Sequence, residues 1–129
     1  MNNQYTWGFK IKFANEYQKF PQYQIEKIDE FLDTYEVFGL MDKSKYVGKL
    51  SHSWKVETTN PNHLYAKQNN LWHYHIGLPH YKNSRPHKTS DLLLHFQWVY
   101  GSTHINLVDI YDHYKADGTF YLPSTAYLI

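Results

Sequence analysis

The fold turns on how one reads LWHYHIGLPHYK, residues Leu71 to Lys82. In an extended chain successive side chains point to opposite faces, so Leu71, His73, His75 and Gly77 share one side while Trp72, Tyr74 and Ile76 share the other. The aromatic side reads as core and the imidazole side as a working surface. A second and a third strand follow at Asp91–Val99 and Ile105–Tyr114, with YGST as the tight link between them. In the second, Leu92, Leu94, Phe96 and Trp98 form one face and Leu93, His95 and Gln97 the other. In the third, Asn106, Val108 and Ile110 alternate with Leu107, Asp109, Tyr111 and His113. If the polar-bearing faces coincide, His73, His75, His95, Gln97, Asp109, Tyr111 and His113 gather on one side of an antiparallel sheet.

Upstream, TWGFKIKF alternates Trp7, Phe9, Ile11 and Phe13 against Gly8, Lys10 and Lys12, the period of a half-buried strand. ANEYQKF suits a short helix, and Pro21 the turn into the next. From Gln22 to Tyr35, Ile25, Ile28, Leu32 and Tyr35 recur at helical spacing, so an amphipathic helix is expected to pack on the sheet. Phe38 to Asn62 offers only short apolar pieces between Gly39, Gly48 and Pro61. The stretch Leu78–Ser90 holds Pro79 and Pro86 and is longer than most hairpin loops, which points to a functional loop.

The 129 residues, 42% of them hydrophobic, suit one domain over 1–129 with a single core. With no cysteine, disulfides, thiolate metal ligands and a cysteine nucleophile are excluded. The N-terminus MNNQYTWGFK lacks an apolar leader and no run is long enough for a membrane span, so a cytoplasmic protein with no membrane association is expected. The net charge of +1 conceals a segregation: residues 1–40 carry −2, residues 41–90 carry +6 with six of the nine histidines, and residues 91–129 carry −3. A basic, histidine-rich middle invites a polyanion such as nucleic acid, since Lys and Arg near phosphates gain from counterion release.

Strand, helical pair, then three antiparallel strands, with LWHYHI opening the central strand and IYDHY closing the last, resembles the RelE/ParE superfamily of toxins from type II toxin–antitoxin modules. The closest likeness is to the mRNA-cleaving RelE, YoeB and YafO-like members, whose final strand in YoeB-like proteins ends in His-Tyr, here His113 and Tyr114. Where members commonly carry an arginine for the scissile phosphate, this chain has histidines. The resemblance implies an α+β fold: a small twisted antiparallel sheet with the N-terminal helices packed on one face. It also implies a metal-independent endoribonuclease without cofactor that cuts mRNA in the ribosomal A site and is held inactive by a small antitoxin.

Cleavage through the ribose 2′-hydroxyl needs a base, an acid and positive charge on the phosphate. Histidine serves the first two near neutral pH. By resemblance His113 is the first choice for proton transfer, with Tyr114 stacking on a base; His73, His75 and His95 are candidates by their face. Lys67, Lys82, Arg85 and Lys88 flank that face and are expected to attract RNA phosphates. The pattern leaves other readings open. His95, within LLLHFQW, suits a buried hydrogen-bonded imidazole equally well. The HxH pair with His95 or Asp109 could ligate zinc or iron in a metal enzyme. A ParE-like partner-binding module would cut nothing.

Overall fold

The computed structural model describes residues 4–54, 58–82 and 88–129. In chain order the elements are β1 (Thr6–Phe9), α1 (Ile11–Tyr17), α2 (Gln22–Phe38), β2 (Leu50–His52), α3 (Pro61–Gln68), β3 (Leu71–His75), β4 (Leu92–Trp98) and β5 (His104–Asp112). The fold is α+β, with a five-stranded sheet in the order β1-β5-β4-β3-β2. The sheet is mixed and not antiparallel throughout, because β1 runs parallel to β5. Strands β2 to β5 alternate in direction. No hairpin joins β1 to β5, so the link between them does not force the antiparallel sense.

The N-terminal strand is shorter than its alternation suggests. Lys10 N–H makes the last bond to β5, at Leu107 O, and Lys10 O then accepts from Ala14 N at 2.9 Å as α1 begins. Ile11 is left exposed, while Phe13 is fully buried. Phe9, Phe13 and Tyr17 recur every four residues, and their rings meet at centroid distances of 5.0 and 6.3 Å. That helical period outcompetes the strand period with which it shares Phe9 and Phe13.

Helix α2 starts at Gln22 behind Pro21, as expected, and buries Ile28, Phe31, Leu32 and Tyr35. Phe31 is the hub of the core: its ring lies 5.0 Å from Tyr74 of β3 and 5.7 Å from both Phe96 of β4 and Tyr46. Trp72, Leu94, Trp98, Ile105 and Leu107 complete the same buried cluster. The aromatic side of LWHYHIG is thus core. The segment Phe38–Asn62, weakly patterned in sequence, supplies the edge strand β2. It pairs Leu50 with Tyr74, Ser51 with His73 and His52 with Trp72.

Register brings the polar residues into a row, with His73 opposite His95 on β4 and His95 opposite Asp109 on β5. A bulge beside His95/Phe96 sets Phe96 against Leu107 while His95 keeps Asp109. Leu107 therefore belongs to the core, and does not share the Asp109 side as strict alternation requires. Among the described residues no helix is long and apolar enough to cross a membrane.

Phe31→Ala removes the ring common to α2, β3 and β4. We expect urea unfolding at neutral pH to show a loss of about 3–5 kcal/mol; a loss below about 1 kcal/mol would show that the core does not depend on this ring.

Candidate functional site

All five residues of β3 are buried, so its imidazoles are not spread on open surface. The C-terminal segment after β5 folds back over them. Phe120 lies 5.4 Å from His73 and 5.0 Å from His113, ring to ring. The fold-back is stitched by Tyr121 N–H to His113 O at 3.1 Å and by the Tyr121 hydroxyl, which donates to Asp109 Oδ2. Tyr65 of α3 donates its hydroxyl to Pro123 O at 2.7 Å. An end of the histidine row remains open as two adjoining hollows.

The larger hollow, 480 Å³, is lined by Lys82, Thr89, Ser90, Asp91 and Asp112. The smaller, 260 Å³, is lined by Ser51, Ser53, His73 and Phe120. Lys49, His75, His113 and Tyr114 line both and form their common wall. There the His75 and His113 rings stand 5.5 Å apart at 29°, nearly parallel. Tyr114 is largely exposed, with its ring 4.3 Å from that of His113.

His75 Nδ1 lies 2.9 Å from both the backbone nitrogen and the carbonyl oxygen of Ser90. His73 Nδ1 shares a hydrogen bond of 2.8 Å with Ser53 Oγ. His113 follows directly on β5, its N–H bonded to Asp91 O at 2.9 Å. Burial pushes the His113 imidazole below its ordinary pKa, and the Lys49 charge adds to the effect. Burial also lowers His75; its Ser90 backbone contact opposes this, and the charges of His113 and Lys49 reinforce it. Close imidazoles beside an ammonium resist holding two protons at once.

Of the expected residues, His73, His75, His113 and Tyr114 meet at the cleft. His95 does not. It is fully buried beneath the row, and neither ring nitrogen has a hydrogen-bond partner among the described residues. Burial first, and then the nearby His113, pushes it down to about 3. It stays neutral near pH 7 and lines neither hollow; the expected burial holds, and no hydrogen-bonded neighbour is found among the described residues. Asp109, across the strand, is raised by burial to about 6 despite bonds from Tyr121 and Ile110.

Among the expected phosphate contacts, Lys82 lines the larger hollow but is held by Asp91 at 2.7 Å. Lys67, in the last turn of α3, and exposed Lys88 line neither hollow. Arg85 lies outside the described residues. Among those residues no three His, Asp or Glu side chains are grouped to hold a metal ion.

Lys49 is not legible from sequence. It stands just before β2, tied by His75 N–H to Lys49 O at 3.0 Å and by Lys49 N–H to Lys88 O at 2.9 Å. Gly48 permits this approach, since a Cβ there would lie 1.9 Å from His75 O.

The buried His95 makes stability depend on pH. Its folded pKa lies below the unfolded value of 6.5, so the unfolded chain binds more protons and stability falls as pH drops from about 6.5 toward 3. Asp109, raised from 3.8 to about 6, acts oppositely, costing stability as pH rises through that interval. Denaturant titrations of His95→Leu between pH 7 and 4 should show a smaller acid loss than wild type; an equal loss would mean that His95 is protonated in the folded state. No family model, curated protein or solved structure matches the chain.

Proposed function

We propose that this cleft cleaves RNA by attack of a ribose 2′-hydroxyl on the adjacent phosphodiester. The observation that carries the reading is the near-parallel pair His75 and His113, 5.5 Å apart, with Lys49 on the wall common to both hollows. A strand of RNA crossing that wall would lay its phosphate against the ammonium and both imidazoles, with one flanking nucleotide in each hollow.

One neutral imidazole takes the 2′-hydroxyl proton as the 2′-oxygen bonds to phosphorus. The other, as imidazolium, gives its proton to the 5′-oxygen as the P–O bond breaks, leaving a 2′,3′-cyclic phosphate and a free 5′-hydroxyl. Burial and mutual repulsion leave the empty pair short of protons, and the bound phosphate's negative charge makes the singly protonated state accessible. Lys49 offsets the charge that develops on the phosphoryl oxygens. Exposed Tyr114 offers a face for base stacking. Lys67, Lys82, Arg85 and Lys88 add long-range attraction.

The biological role we propose rests on the resemblance of LWHYHI and His113-Tyr114 to mRNA-cleaving toxins. The protein would act in the cytoplasm on mRNA in the ribosomal A site and be restrained by a cognate antitoxin. The metal-enzyme alternative has no grouped donor set among the described residues to favour it.

Single-turnover cleavage of ribosome-bound and free RNA tests this, with a 2′-deoxy substitution at the cut site as control. His75→Gln and His113→Gln should each lower the rate by about 10²–10⁴, and Lys49→Gln by about 10², all with folded circular dichroism spectra. Cleavage of the deoxy substrate, or wild-type rates in both histidine variants, would remove the proposal. Separately, Lys82→Gln with Lys88→Gln should reduce the salt dependence of RNA binding by roughly one log–log unit for each phosphate no longer neutralised.

A further inference from the structure

We infer that Ser90 is the positioning residue for His75, holding a proton on Nδ1 so that Nε2 alone exchanges protons with the cleft. The inference rests on the ribonuclease reading for its kinetic consequence, but its structural content stands by itself. Ser90 is 4% exposed and closes the stretch Leu78–Ser90, with its backbone facing His75. Two contacts of 2.9 Å to Nδ1 compete there: the Ser90 N–H can donate to a bare Nδ1, or Nδ1–H can donate to Ser90 O. They require opposite protonation of one atom. The first leaves Nε2 carrying the proton in the neutral ring, unable to act as a base. The second leaves Nε2 bare in the neutral ring and protonated in the imidazolium, with Nδ1–H···O unchanged through the cycle.

The Ser90 side chain fixes its own peptide planes, and of the two contacts the carbonyl's is the one that serves the neutral and the charged ring alike, so we take it as the arrangement held. Its Oγ accepts from Gly77 N–H at 3.0 Å and donates to Leu92 O at 3.0 Å. The hydroxyl therefore clamps the turn after β3 to the start of β4, and the carbonyl that must accept from Nδ1 is part of that clamp. Carbonyl acceptance also favours the imidazolium against burial, so the ring can reach its acid form.

Long-range ¹H–¹⁵N correlation spectra of the full chain, recorded above and below the His75 titration, read the tautomer directly. We expect neutral His75 in the wild type to be protonated at Nδ1 and bare at Nε2. Ser90→Ala should yield a mixture of tautomers, with kcat about tenfold lower and KM unchanged; Ser90→Thr, which keeps the hydroxyl, should restore the wild-type tautomer. A wild-type ring protonated at Nε2 overturns the inference, as does a folded Ser90→Ala protein with an unchanged tautomer. If Ser90→Ala does not fold, the wild-type spectrum still decides. Wild-type protein that cuts no RNA but shows Nδ1–H would defeat the ribonuclease reading and leave the Ser90 assignment standing.

Discussion

Burial of β3 on both sides is the constraint from which the rest follows. One side meets helix α2 through Phe31, Tyr74 and Phe96, and the other meets the C-terminal fold-back through Phe120. A strand in that position is ordinarily apolar throughout. Here alternate positions carry imidazoles, which are apolar enough to pack when neutral and polar enough to charge where water or an anion reaches them. The ring that water cannot reach, His95, remains neutral, while the rings at the open end, His75 and His113, keep access to both hollows. Depth along one row of like side chains thus separates the ring sealed in the core from those that line the hollows.

The same burial tunes the electrostatics. Desolvation disfavours charge on His75, His95 and His113 and favours the neutral form of Asp109. The row is short of protons on its histidines, and its carboxyl holds a proton up to about pH 6. Lys49, exposed at the rim, supplies the cation beside the central pair, since Lys82 is engaged by Asp91. A hollow with lowered imidazole pKa values and a cationic rim suits a negatively charged group that restores what desolvation removed.

The alternation in LWHYHIG and LLLHFQW is enough to read β3 and β4, their core side and their histidine side, because a period of two maps directly onto faces. Gln22 to Tyr35 is equally clear as a helix. The bulge is not legible: nothing in INLVDI marks the point at which alternation slips, and Leu107 consequently changes sides. Nor can local pattern reveal that β1 lies parallel to β5, a matter of long-range packing. Phe9 and Phe13 satisfy two periods at once, and Tyr17 decides between them. At the site, His73, His75, His113 and Tyr114 are accessible to sequence reasoning because they lie on or next to strands with a readable face. Lys49 is not, since its place beside His75 depends on the pairing of a three-residue edge strand within a weakly patterned stretch.

Gly48 carries a further implication. With the backbone of its neighbour bonded on one side to His75 and on the other to residue 88, and with no room at Gly48 for even a methyl group, the cation and the imidazole share one rigid frame. The ammonium explores only the volume swept by its own side-chain rotations, so its effective concentration at the cleft is set by the torsions of its methylene stem and not by loop motion. Lengthening or loosening the chain between residues 46 and 50 would dilute that charge without replacing any side chain that lines the two hollows.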